Sequence, residues 1–419
     1  MKIVYPICCG LDVHKDLIVA TIASTDKQGV TQYAQRSFSS QNYDLAHLKS
    51  WLLEYQCVNV AMESTGKYWI PVFNVLEDEL NVFVVHPKYT KAIKGKKTDK
   101  KDSQWIADLF KHDLLRFSFI PPKQIRELRE LSRYRFKLVN MRISERNRVQ
   151  NAMTVSNIGL ASVLSDPFGK TARSIIHEVL RSKTIDEEII LKLIHGSCKN
   201  KTQAILASLD GSHIETDQRL KMQIAYDHMS QLDKHIETLE VEMMKRCLPM
   251  AHSFQHIMKL PGISALAALI IVAEIGVDMT QFESDKHLCS WAGLTPANNE
   301  SANKKKSVRI SKAGDYLKPL MVQCALSAIK SNKEPYFRIK YDRIKKRRGH
   351  KKAIIAIARM MLTCIYHMIL TGETFNPSDF STYQSQTSFK QTRMTTESAL
   401  QFLQDHGIDT SSIECQLRS

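Results

Sequence analysis

An α/β domain followed by a long all-α remainder is the fold class that this 419-residue sequence predicts. Three observations carry it. The first 120 residues alternate short β-rich runs with segments of helical spacing, and the stretch after them is helical and rich in arginine. From Met222 onward, apolar residues then recur at alternating steps of three and four over three heptads. A chain of this length is expected to divide into two or three domains.

The elements of the first part follow in order. Lys2–Asp12 and Leu17–Ser24 are β-rich runs separated by a short polar turn, which predicts a hairpin, and Gln32–Ser39 supplies a third strand. Tyr43–Tyr55 has helical spacing through Leu45, Leu48, Trp51 and Leu52. Val58–Met62 is a short buried strand, Gly66–Glu79 a helix, and Asn81–Val85 another buried strand stopped by Pro87. Thr98–His112 reads as a helix with Thr98 as its N-cap. The order βββαβαβα is that of a ribonuclease H-like domain, expected over residues 1–120.

Residues 121–250 are expected to form a helical, coiled-coil middle. Ile125 to about Leu160 is helical and polar, and Asp166–Asp217 reads as shorter helices broken at Pro167-Phe168-Gly169 and Asp210-Gly211. Met222, Ala225, Met229, Leu232, Ile236, Leu239 and Met243 then form the heptad seam, which can close on the first long helix or on another subunit. Pro249 ends that helix. A third, mostly helical domain is expected over residues 251–375. The tail, 376–419, is rich in Ser, Thr and Gln, with a short helix at Glu397–Asp405.

Composition narrows the function. Hydrophobic residues make up 43% and charged residues 24%, which argues for an ordered globular chain. The apolar stretch Ala265–Ile275 is too short for a membrane span and is interrupted by Glu274, and Asp12 and His14 fall where a signal peptide would end. The expected location is the cytoplasm, with no membrane partner. None of the nine cysteines (Cys8, Cys9, Cys57, Cys198, Cys247, Cys289, Cys324, Cys364 and Cys415) forms a CxxC pair, so free thiols are expected.

The net charge of +16 is concentrated. Lys304–Lys352 holds 17 Lys and Arg, including Lys304, Lys305, Lys306, Arg309, Lys312, Lys345, Lys346, Arg347 and Arg348, against Asp315, Glu334 and Asp342. A second stretch, Arg126–Arg148, includes Arg126, Arg129, Arg133, Arg142 and Arg146. Either run could be a solvated helix face. Two such blocks in one basic protein point to a polyanion, with nucleic acid the first candidate.

Four acidic residues of the first domain point to metal chemistry. Asp12 ends the first strand, Glu63 ends a later one, and Asp99 and Asp102 lie one helical turn apart. In a ribonuclease H-like sheet those two strands are neighbours, so the carboxylates can meet the helix pair at one point. Gathered carboxylates repel one another, and Mg²⁺ (or Mn²⁺) relieves that repulsion and serves phosphoryl transfer. A lone Asp after a strand is otherwise an ordinary turn residue. Leu260-Pro261-Gly262-Ile263-Ser264 precedes an apolar helix, and the turn at Gly262 is either a phosphate site or a plain helical hairpin. Further on, Trp291-Ala292-Gly293-Leu294-Thr295-Pro296 is followed by Ser301 and three lysines. A serine oxygen needs activation to become a nucleophile, and residue chemistry alone ranks Ser301 level with Ser307 and Ser311.

These motifs resemble those of the DEDD insertion-sequence transposases, a family that includes bridge-RNA-guided recombinases and the related pilin-gene DNA invertases. The N-terminal likeness runs over about residues 7–115, through Gly10-Leu11-Asp12, Glu63-Ser64-Thr65-Gly66 and Thr98-Asp99-Lys100-Lys101-Asp102. The C-terminal likeness, about 257–375, rests on Leu260-Pro261-Gly262-Ile263, Trp291-Ala292-Gly293-Leu294-Thr295-Pro296 and Ser311-Lys312-Ala313-Gly314. The resemblance implies that Asp12, Glu63, Asp99 and Asp102 form a catalytic metal tetrad in a domain like that of Holliday-junction resolvases. It also implies that Ser301 is the nucleophile, forming a phosphoserine link to DNA. Family members often carry glycine after this serine, where Ala302 and Asn303 follow here. The implied partners are double-stranded DNA, a guide RNA and further copies of the chain, as a dimer and, when active, a tetramer. Because the metal site and the serine lie on separate domains, a composite site between subunits is expected. The same residues leave two alternatives, a site-specific invertase and a junction-resolving nuclease that uses water.

Overall fold

The computed structural model describes residues 2–64, 66–85, 99–182, 185–296, 300–301, 304–305, 310–331 and 334–379. The chain divides into two units, Met1–Pro122 and Lys123–Ser419.

In the first unit, alternation along β1 (Ile7–Val13) decides the layering. Cys9, Leu11 and Val13 face one core, together with residues of α1 (Asn42–Glu54) and α2 (Trp69–Leu76). Cys8 faces a second core beneath α3 (Asp99–Lys111), which also takes Ile106, Ala107 and Phe110. The period of two puts Gly10 and Asp12 on that second face. With helices on both sides, β1 is buried along nearly its whole length. The other strands are β2 (Leu17–Thr25), β3 (Thr31–Ser39), β4 (Asn59–Ser64), β5 (Asn81–Val85) and β6 (Phe117–Ser118). Their order in the sheet is β3-β2-β1-β4-β5-β6. β1 and β2 pair antiparallel, as do β2 and β3, whereas β1 pairs parallel with β4 and β4 with β5. This is the mixed sheet that the element order predicts, with β6 added antiparallel at the far edge. The expected N-cap Thr98 lies outside the described residues.

The second unit opens on α4 (Lys123–Val155). Short helices follow: α5 (Leu160–Val163), α6 (Lys170–Arg181), α7 (Glu187–Leu193) and α8 (Thr202–Ala207). The long α9 (Thr216–Cys247) then runs back along α4. Met222, Ala225 and Met229 pack with Val149, Ala152 and Met153, while Leu232 and Ile236 pack with Leu138. The two helices are therefore antiparallel, and α4 fills the heptad seam. Next come α10 (Ala251–Met258), α11 (Ala265–Ile275), α12 (Asp285–Trp291), the short strands β7 (Glu300–Ser301) and β8 (Lys304–Lys305), α13 (Leu317–Ala328), α14 (Tyr336–Arg348) and α15 (His350–Thr371). By length and composition α15 is apolar enough to cross a membrane. In this fold it is a core helix: Ile357, Ala358, Met361, Leu362 and Ile365 are buried among residues of α11, α12 and α13. The expected helix Glu397–Asp405 lies outside the described residues. The eight described cysteines are free, six of them buried, and Cys415 lies outside the described residues.

Candidate functional site

The carboxylate centre is built by one register and one close approach. Asp12 on β1 and Glu63 on β4 are direct partners in the parallel pairing, so they sit side by side at the ends of two central strands. α3 crosses that face. A Cβ on Gly10 would lie 2.3 Å from the Ser103 carbonyl oxygen and 2.5 Å from the Ala107 nitrogen, so only glycine lets the helix come this near. Polar contacts then fix the helix. Thr21 Oγ1 and Ser103 Oγ are 2.7 Å apart, and Gln35 Nε2 donates to Thr21 Oγ1 (2.7 Å) and to the Lys100 carbonyl (2.8 Å). Tyr33 donates from β3 to Asp108 at 2.6 Å. The helix therefore delivers its first turn, with Asp99 and Asp102, to the strand ends.

His14 joins this centre. Its Nε2 lies 3.2 Å from Asp12 Oδ2 and 3.7 Å from Asp99 Oδ1. One ligand atom from each of Asp12, His14 and Asp99 lies within 4.8 Å of the others. The turn is closed by the His14 amide donating to the Leu17 carbonyl. Sequence reasoning missed this residue as a site member. The available signal was its offset of two from Asp12, which keeps it on the same side as the strand ends. Asp102 is half-buried one helical turn past Asp99 and stands outside that three-residue cluster.

Asp12 is the most enclosed of these groups, and burial pushes its carboxyl above the ordinary range. His14 pulls it back down by charge and hydrogen bond, while the negative charges of Asp99 and Glu63 push it up again. A buried carboxylate raised by two neighbouring carboxylates is a donor set that a hard divalent cation fits, since the cation replaces mutual repulsion with attraction.

The C-terminal motifs also meet in space. Gly293 has φ +68° and Gly314 φ +74°. A Cβ on Gly293 would lie 2.2 Å from the Ala313 carbonyl oxygen, and one on Gly314 2.1 Å from that of Ala292. The two glycine segments thus cross backbone to backbone. Just beyond the crossing, Pro296 and Ile310 form an antiparallel bridge. Farther out, Glu300 pairs with Lys305 and Ser301 with Lys304. Lys318 Nζ closes the base by donating to the carbonyls of Ser311 (2.8 Å) and Ala313 (2.7 Å). Lys306 and Arg309 lie outside the described residues.

Five of the nucleic-acid candidates have partners or close packing within the chain. On α4, Arg129 donates to the carbonyls of Ala273 (3.2 Å) and Glu274 (2.6 Å), and Arg133 forks onto the Glu274 carboxylate with two bonds of 2.9 Å. Arg142 pairs with Asp233 at 2.9 Å and Arg146 with Asp166 at 3.1 Å. Arg129, Arg133 and Arg142 thus tie α4 to other helices of the chain, and Arg146 ties it to the turn before α6. Gly262 likewise has a packing reason: a Cβ there would lie 2.5 Å from the Ala328 nitrogen and 2.6 Å from the Cys324 carbonyl oxygen on α13. Lys312 is exposed, and so are Lys345, Lys346, Arg347 and Arg348, which end α14, and Lys351 and Lys352, which start α15.

Two family models match the chain: "Transposase" of the DEDD, IS110 type over residues 9–157, and "Transposase IS116/IS110/IS902 family" over residues 254–342. The chain is similar to the transposase for insertion sequence element IS1111A of Coxiella burnetii, at 25% identity over 374 residues, covering 87% of this chain and 90% of that protein. It is also similar to the pilin gene-inverting protein of Moraxella bovis, 28% identical over 155 residues, or 36% of this chain and 46% of that one. Among solved structures, a Fowlpox virus resolvase in complex with Holliday junction DNA aligns to 25% of this chain and 72% of its own, with 17% identity. Its TM-score is 0.18, a likeness too slight to carry any argument.

Proposed function

Because this chain belongs to the IS110-type family of insertion-sequence transposases, which are DNA-cleaving recombinases, we propose that it excises and inserts a mobile DNA element through a phosphoserine intermediate. The observation that carries this reading is the pairing of Asp12 with Glu63 under the first turn of α3. That arrangement gathers carboxylates where a phosphodiester reaction needs a cation. Asp12, Glu63, Asp99 and Asp102 would hold Mg²⁺ or Mn²⁺, with His14 alongside. Such a cation supplies neutralisation of charge on the phosphoryl oxygens.

The remaining chemistry belongs to the chain. Ser301 Oγ attacks a DNA phosphorus, the Oγ–P bond forms, and the bond from phosphorus to the leaving sugar oxygen breaks. The serine proton leaves and the departing sugar oxygen takes one up. Rejoining reverses these steps with a new strand's hydroxyl as nucleophile, so no external energy source is required. Lys304 and Lys305, paired with the serine strand, and the basic surface where α14 meets α15 would hold the DNA backbone.

The same reading includes a structured guide RNA and assembly as a dimer that pairs into a tetramer. Leu220, Ile224 and Val241 of α9, and Leu248 directly after it, are each more than half exposed, which supports a contact between copies. In this reading residues 1–120 hold metal, 121–250 mediate assembly, and 251–375 carry the nucleophile. The likeness to the pilin gene-inverting protein supports a second reading, inversion of a fixed DNA segment by the same chemistry.

The test is a covalent-adduct assay. Protein, RNA transcribed from the element's flanks, joined-end DNA and Mg²⁺ are resolved on denaturing gels for wild type, Ser301→Ala and Asp12→Asn. An adduct lost in both variants is expected. Cleavage that forms no adduct and survives Ser301→Ala would leave a water-using nuclease.

A further inference from the structure

Arg133 lies in the arginine-rich helix α4 and is about a third exposed, yet its guanidinium is bound to a buried carboxylate. Glu274, its partner, is 1% exposed in the last turn of α11. A carboxylate there suffers twice, from desolvation and from the negative end of the helix dipole. Both oxygens accept from Arg133, and Arg129 covers carbonyls of the same helix end. The Arg133 guanidinium is thereby locked in its plane, leaving its face for another contact. Its Cζ lies over the ring of Tyr316, 4.7 Å from the centroid. Phe136, one turn further along α4, meets the same ring edge-on at 5.2 Å.

Tyr316 stands two residues after Gly314, directly before α13. It therefore sits at the exit of the crossing that supports β7 and β8. A ladder of two residue pairs has little stability of its own, so its position depends on its base. From these contacts we propose that Arg133, held by Glu274, is a positioning residue. Through Tyr316 it fixes the base of the Ser301 ladder and ties that ladder to the long α4–α9 pair. The role in the reaction rests on Ser301 being the nucleophile; the effect on ladder order does not.

The experiment uses the full chain with three variants. Arg133→Met/Glu274→Leu removes both charges together, which avoids stranding a buried carboxylate. Tyr316→Ala removes the ring and Tyr316→Phe keeps it. Three readouts are taken: hydrogen exchange of peptides spanning the ladder, DNA affinity with its salt dependence, and the rate of adduct formation.

In the double variant and in Tyr316→Ala, ladder amides should exchange roughly tenfold faster. Adduct formation should slow by about tenfold or more, as misplacement of a reacting group does, with DNA affinity unchanged. Tyr316→Phe should behave as wild type. Unchanged ladder exchange in both disruptive variants overturns the proposal. So does a parallel fall in DNA affinity and salt slope in the double variant, which would make Arg133 a phosphate ligand. If Ser301→Ala still forms adduct, the nucleophile assignment fails while ladder exchange still decides the positioning role.

Discussion

Asp12 and Glu63 end two central, hydrogen-bonded strands of a six-stranded sheet, whereas Ser301 rides on a ladder of two residue pairs. The first pair is set by register over five consecutive positions and by a helix seated across the sheet. The serine is set by what lies at the ladder's base: two interlocked glycines, one bridge and one lysine holding two carbonyls. The difference gives two ways to place a candidate reactive group. One buries the scaffold and lets the sheet dictate geometry, and the other anchors a thin projection at its root. Substitutions should therefore separate the two regions by which readout they change.

The largest effects are expected at the proposed reacting groups. Asp12→Asn and Ser301→Ala should each lower DNA joining by at least about a thousandfold. They should differ in Mn²⁺ binding measured by calorimetry: Asp12→Asn loses it and Ser301→Ala keeps it. Equal metal binding in both would break the division of labour between the regions.

The supporting glycines come next. Gly10→Val drives a side chain into the backbone of α3 and should cost about 1–3 kcal/mol in thermal or denaturant unfolding, with weaker Mn²⁺ binding. Gly293→Ala adds a Cβ against the Ala313 carbonyl at a left-handed backbone and should also cost about 1–3 kcal/mol. Here metal binding should survive while adduct formation slows. Weakened metal binding in Gly293→Ala would sharpen the comparison in the opposite direction, toward mutual dependence.

How much of the fold the sequence reveals differs along the chain for physical reasons. Asn81–Val85 was readable to the residue because an apolar run is bounded by clear breaks, although only Val84 and Val85 are buried. β1 starts at Ile7, after Pro6, and Val4 and Tyr5 instead donate their amides to the Lys111 carbonyl at the end of α3. β6 has two residues, too few for any periodicity to show. The neighbouring placement of Asp12 and Glu63 was legible because the order of elements dictates adjacent strands. The pairings of Arg133 and Arg142 were not, since their acidic partners lie far along the chain: Glu274 is 141 positions from Arg133 and Asp233 is 91 from Arg142. Composition registers a charge but not whether a distant residue neutralises it. Gly10 and Gly262 were opaque for a related reason, because a close approach between backbones leaves no pattern in the local sequence.

Smaller effects should come from the surface. Replacing Lys345, Lys346, Arg347 and Arg348 by alanine should flatten the salt dependence of DNA binding by roughly 0.9 in log–log slope for each phosphate that these side chains neutralise. Strand cleavage at saturating DNA should be preserved. His14→Ala is expected to weaken Mn²⁺ more than Mg²⁺, by only about tenfold at most, because imidazole nitrogen suits the softer ion. Equal loss for both ions would reduce His14 to a neighbour of the centre.

Mapping the DNA-linked peptide after tryptic digestion tests the central claim most directly. Cleavage at lysine and arginine separates the three competing serines: Ser301 falls in the peptide ending at Lys304, Ser307 in that ending at Arg309, and Ser311 in that ending at Lys312. Fragmentation should place a phosphodiester-linked nucleotide on Ser301. A nucleotide on Ser307 or Ser311, or active joining with no linked peptide, would contradict the proposed mechanism.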